Sequence, residues 1–184
     1  LNKYNFIYKK NKLTMLLEDK ELISINSDNP ENFSLISEKL LELESSLEKP
    51  IFFLKNNDFP FYDTTNSNNV MNSISLININ SIKDLENKIN KKLEIQRFRG
   101  NFYVQGIEPF EERNWINKVI KINNIPFKVQ SHIPRCVAIN LKPKTDDNSI
   151  NLLQSLKKNF NHFDMGIYLI ALEDGKINVG DKIE

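Results

Sequence analysis

The chain has 184 residues, 40% of them hydrophobic, with 25 Lys and Arg against 24 Asp and Glu, for a net charge of +1. That length suits one compact domain or a domain with a fragment of another, and the balance of charge gives no field of one sign to draw in nucleic acid or an anionic membrane. No apolar run reaches the roughly 20 residues a membrane span requires, and one cysteine with two histidines excludes an internal disulfide and argues against a zinc site built by the chain alone. A soluble, cytoplasmic protein is expected.

In chain order, alternation at Phe6, Tyr8, Leu13, Met15 and Leu17, then Leu22 to Ile25, predicts a β-meander. Asp28 or Asn29 before Pro30 and Glu31 supplies a helix start, and Phe33, Ile36, Leu40, Leu43 and Leu47 recur at helical spacing, so a helix is predicted over 30–47. Pro50 stops it. Ile51 to Leu54 reads as a buried strand, and the Asn-, Ser- and Thr-rich stretch over 62–72 as a loop or linker. Ile74 to Ile77 is a short strand, followed by a helix capped by Asn80 with Ile82, Leu85 and Ile89 on its apolar face.

The pattern then turns mainly β. Strands are predicted at Phe102 to Val104, Lys118 to Ile122, Phe127 to Val129, Val137 to Ile139 and Gly166 to Leu172. A last helix runs from Asn148 or Ser149 to Phe160, with Ile150, Leu153, Leu156 and Phe160 on one side. Short strands with helices between them point to an α+β, mainly β, barrel-like fold.

Two clusters carry chemistry. In Arg97-Phe98-Arg99-Gly100-Asn101 an extended backbone would send both guanidinium groups to one side, an arrangement that suits an oxyanion, with Asn101 adding a donor and an acceptor. An internal salt bridge to Glu111, Glu112 or another acid is the competing reading. The only thiol, Cys136, follows Arg135 at the start of an expected strand. A neighbouring cation favours the thiolate, which attacks electrophiles and binds soft metals, whereas a free cysteine often serves only as a small buried hydrophobe. His132 and His162 are isolated, Glu108, Glu111 and Glu112 read as a solvated turn or the home of a general acid, and Trp115 reads as a packing anchor.

These motifs, taken in order, resemble the MOSC domain family, which takes in the C-terminal domain of molybdenum cofactor sulfurase and the mitochondrial amidoxime-reducing components. Ser75 to Asn78 before a helix, Arg97 to Asn101, Glu111-Glu112 with Trp115, Arg135-Cys136 with Pro143 and Thr145 after it, His162, Gly166 to Tyr168, and Gly175 to Asp181 as final strands all fit that order. The resemblance covers about residues 70 to 184. Residues 1 to 54 are similar to the second half of the smaller β-rich domain that precedes MOSC in such proteins. That domain normally begins with a strand and a Pro-Val-Lys-Ser type motif at the cofactor phosphate; none occurs here, which fits either a fragment or a site that has lost that part.

The resemblance implies a MOSC-type β-barrel with inserted helices over 73–184, a partial N-terminal domain over 1–60 and a linker over 61–72. It further implies a molybdenum cofactor with the metal on Cys136 as catalytic ligand, and Arg97, Arg99, Asn101, Arg135 and Asn140 near the cofactor's polar groups. Pyridoxal phosphate is not expected in this chain. The implied activity is reduction of N-hydroxylated or related small molecules, with electrons from a separate redox partner protein. Two alternatives stand beside it: a sulfur carrier holding a persulfide on Cys136, and a cofactor-free binding or assembly module.

Overall fold

The computed structural model describes residues 2–48, 50–51, 53 and 73–184. They form two compact units, one within residues 1–60 together with 143–147, the other from 61–142 and 148–184.

In the first unit, β1 (Tyr4–Lys9), β2 (Lys12–Leu17) and β3 (Lys20–Asn26) form the expected antiparallel meander, in the order β1-β2-β3. Both hairpins close through two residues at positive φ, Lys10-Asn11 and Glu18-Asp19. Asn and Asp tolerate that backbone best, and its twist matches that of the flanking strands. A 3-10 turn at Pro30–Asn32, capped by the Asn29 side chain, leads into α1 (Phe33–Leu43). Ile36 and Leu40 of α1 meet Tyr4, Met15 and Ile25 in one core. The helix ends short of the expected Leu47. At Glu44 the backbone turns extended, and the carboxylate accepts from Tyr4 Oη at 2.5 Å and pairs with Lys3 Nζ at 2.6 Å. The expected strand at Ile51 to Leu54 and the loop over 62–72 lie partly or wholly outside the described residues.

The second unit is a five-stranded sheet that curls into a half-barrel, in the order β5-β4-β8-β7-β6. Its strands are β4 (Ile74–Asn78), β5 (Phe102–Val104), β6 (Val119–Ile122), β7 (Ile125–Pro134) and β8 (Asp164–Ala171). Only β4 and β5 pair parallel. Central strands bury both faces. Leu76 and Ile167 accordingly face a core with Ile120, Phe127 and Leu169, while Ile77 and Met165 face a second core with Leu85, Phe98, Leu152 and Leu156. That second core is covered by α2 (Ile79–Ile89) and α3 (Leu152–Phe160). The α+β, mainly β, barrel-like architecture is the one expected.

Local corrections follow from side-chain capping. Asn78, not Asn80, caps α2, its Oδ1 accepting the N–H of Asn80, and Asn151 caps α3 by accepting from Gln154. Val137–Asn140 is a 3-10 turn and not a strand; of its four residues only Ile139 is buried. After β8 the expected final strands at 175–181 are irregular, and Ile183 alone makes a β-bridge, to Ile122. Among the described residues no helix is long and apolar enough to cross a membrane.

Candidate functional site

The Arg97–Asn101 motif is not extended. Ile95–Phe98 is a 3-10 turn and Arg99 takes the left-handed conformation at φ 46°, so the two guanidinium groups part instead of sharing a side. Arg97 turns inward, 5% exposed. Its Nε donates to Glu94 at 2.8 Å, and Nη1 donates to the carbonyls of Asn140 at 2.7 Å and Ile139 at 3.4 Å. The ion pair foreseen for the motif therefore exists, with Glu94 in place of Glu111 or Glu112. Burial works to raise the Glu94 carboxyl, but the Arg97 guanidinium and, more weakly, the Lys142 ammonium hold it below the ordinary carboxylate range.

Arg99 is exposed and makes no ion pair among the described residues. Asn101 is anchored to β4, its Oδ1 accepting from Ser75 N at 2.9 Å and Ser75 Oγ at 2.7 Å. Between them Gly100 is a packing requirement: a Cβ there would stand 2.5 Å from Ile77 Cγ1.

Cys136 follows the end of β7 and its thiol is exposed, set at the head of the 3-10 turn. The preceding Arg135 faces inward and lies over the Phe98 ring, 5.9 Å from its centroid. Its Nε donates to Met165 O at 2.9 Å, Nη2 donates to the same carbonyl, and Nη1 donates to Phe98 O at 2.9 Å. No carboxylate pairs with it among the described residues. Burial pushes its pKa down to about 10, which still leaves it charged at neutral pH. Asn140 closes the turn: its Oδ1 accepts from Leu153 N at 3.1 Å and its Nδ2 lies 3.4 Å from Asn151 Oδ1.

The structure thus brings the two motif segments together. Arg97, Arg135 and Asn140 spend their polar groups on the protein, whereas Arg99 and the Cys136 thiol remain open to solvent. An exposed soft sulfur and an exposed guanidinium fit the donor set that a thiophilic metal and an anionic tail need. Among the described residues no group of three or more His, Cys, Asp or Glu side chains could hold a metal ion.

The acidic turn departs from its expected solvation. Glu112 is fully buried and accepts from Asn78 Nδ2 at 2.9 Å and Ser81 Oγ at 3.2 Å. Its signal in the sequence was Ser81 and Asn78 opening α2, but no spacing rule links them to a residue some thirty positions on. Arg113 pairs with Asp164 at 2.6 Å, His132 Nε2 lies 3.2 Å from Arg113 O, and Trp115 packs, as expected, against the core that holds Leu76, Phe127 and Ile167. His162 packs edge-on against Phe110 and stacks on Phe160.

The family model of the MOSC domain matches residues 63–184, more than half of the chain. The chain belongs to the MOSC domain family. Among curated MOSC relatives, it is 36% identical to the mitochondrial amidoxime reducing component 2 of Rattus norvegicus over 72 residues, 39% of this chain and 21% of that protein. The same protein from Macaca fascicularis is 28% identical over 120 residues, 56% of this chain and 34% of the relative. A molybdenum cofactor sulfurase of Bombyx mori is 30% identical over 114 residues, 58% of this chain and 13% of the relative. The chain therefore spans about a third or less of the length of these relatives.

Proposed function

We propose that this MOSC chain holds a molybdenum cofactor and serves in the reduction of N-hydroxylated small molecules, with electrons from a separate redox protein. The observation that carries the reading is the exposed Cys136 thiol following an inward Arg135 that pairs with no carboxylate among the described residues and is bonded to the Arg97–Asn101 turn. Support also comes from relatives whose names join amidoxime reduction and molybdenum cofactor chemistry in this family.

In this reading Cys136, as thiolate, is the metal ligand, and Arg99 with the amide of Asn101 holds the cofactor's anionic groups. Arg97, Arg135 and Asn140 are positioning residues that fix the two turns. The cofactor, when bound, supplies the change of metal oxidation state on which the reduction depends. The protein's own part is to present one sulfur at a fixed turn, to offer guanidinium donors to phosphate or pterin oxygens, and to keep the ligand turn from shifting. Cytoplasmic placement belongs to the same proposal, although the mammalian relatives are named as mitochondrial.

The test is molybdenum per chain in protein purified from a host that makes the cofactor, compared with Cys136→Ala. Loss of metal in the variant is expected; equal retention overturns the ligand role. A sulfur-carrier reading is favoured by the same exposed thiol and by the sulfurase relative. It predicts one added sulfur at Cys136 by mass spectrometry after incubation with a cysteine desulfurase and cysteine, and an unchanged mass rejects it.

A further inference from the structure

The residue that this function leaves unused is Glu112, a fully buried carboxyl with no cation paired to it among the described residues. Its donors belong to a knot at the first turn of α2. Asn78 gives one N–H to Glu112 and the other to Glu108 O at 2.7 Å, Ser81 Oγ also accepts from Phe110 N at 2.8 Å, and Asn80 Nδ2 reaches Ile107 O at 2.8 Å. Phe110 sits at φ 60°, a left-handed backbone that an aromatic residue rarely adopts, so the loop is held in a conformation it does not prefer.

Arg113, the residue after Glu112, finds its partner outside the knot. Arg113 binds Asp164, which opens β8 between Phe163 and Met165, and the carbonyls of those two residues receive the backbone N–H and the guanidinium of Arg135. We infer that Glu112 is a positioning residue: a proton-linked buried latch that holds the 107–113 loop on α2 and, through Arg113 and Asp164, fixes the β8 carbonyls that receive Arg135.

Two donors of the knot, Asn78 Nδ2 and Ser81 Oγ, reach the carboxyl, which suits the ionised form. Burial raises its pKa against the pull of Asn78 and Ser81. When the carboxyl takes a proton, its new O–H needs an acceptor. The Ser81 hydroxyl is in reach and must then turn its own proton away. The groups facing the knot are the neutral Asn78, Asn80 and Ser81 from β4 and α2, and Arg113 with Glu108 and Glu111 from the loop. Beyond Arg113 lie Asp164 of β8 and His132 of β7.

Where the latch bears on Cys136 it rests on the function proposed above, but its readouts need neither cofactor nor activity, so failure of metal retention leaves this test intact. Amide hydrogen exchange is compared in the whole chain for Glu112→Ala, Glu112→Gln and Arg113→Gln. Glu112→Ala is expected to speed exchange in both 107–113 and 162–166 by roughly tenfold or more. Arg113→Gln is expected to speed 162–166 alone. Acceleration confined to 107–113, or uniform along the chain, overturns the coupling. Should Glu112→Ala fail to fold, Glu112→Gln keeps the shape of the knot. The wild type should then lose stability relative to Glu112→Gln as pH rises from the carboxylate range toward neutrality, because the raised pKa favours the protonated folded state. Parallel stability curves for the two proteins overturn the proton linkage.

Discussion

Arg97 and Arg135 bind each other's segment: Arg97 Nη1 donates to Asn140 O at 2.7 Å, and Arg135 Nη1 donates to Phe98 O at 2.9 Å. The turn after the thiol is thereby held by a residue of the arginine motif, and that motif by the residue before the thiol. Two planar donors aimed at carbonyls in this way fix a backbone more tightly than a flexible ammonium does.

Arg97 and Arg99 should separate cleanly on substitution. Arg97→Met leaves the Ile139 and Asn140 carbonyls without their donor and should cost about 2–4 kcal/mol in urea unfolding. Arg99→Ala, on an exposed side chain without an ion pair among the described residues, should change stability by less than about 0.5 kcal/mol while lowering molybdenum retention. Equal destabilisation by both would contradict the division of labour.

Cys136 should be modified in the folded protein. Iodoacetamide without denaturant is expected to add one group per chain, read by intact mass, because the thiol is exposed. Modification that appears only in urea would show a sealed thiol. Cys136→Ser should leave the unfolding midpoint nearly unchanged.

Gly166→Ala should break the centre of the sheet. The residue sits at φ +87°, and a Cβ would run into the Leu76 carbonyl oxygen and the Ile77 side chain, groups of the neighbouring β4. A loss of about 3 kcal/mol or more is expected from strain and overpacking together. Wild-type stability in this variant would mean that β4 and β8 do not approach as described.

His162 should titrate below the usual histidine range, because burial, with Arg113 adding to it, disfavours the charged ring. Its Nδ1 accepts from Asp164 N at 3.2 Å, so the proton of the neutral ring belongs on Nε2. A depressed histidine pKa stabilises the fold at pH above the unfolded value of about 6.5, and that contribution shrinks as pH falls from there toward the folded value. NMR titration of the ring, with His162→Asn as control, checks both the direction and the tautomer.

Periodicity along the chain determined most of the elements: the meander, α1, α2, α3 and the strands from β4 to β8 follow from apolar spacing, because burying an apolar face is a local demand on sequence. The ordered motifs likewise identified the family and singled out Cys136. What spacing could not decide was the direction of each polar side chain. Arg97 and Arg99 look alike two residues apart, yet the left-handed turn at Arg99 sends one to carbonyls 42 and 43 positions away and leaves the other in solvent. Glu112 stands in a run of charges that reads as solvated, and it is buried because Asn78 and Ser81 meet it across the fold. Hydrogen-bond partners distant in the chain become neighbours only when the sheet closes on its helices, so the tertiary structure alone settled which polar groups are struts and which stay exposed to solvent.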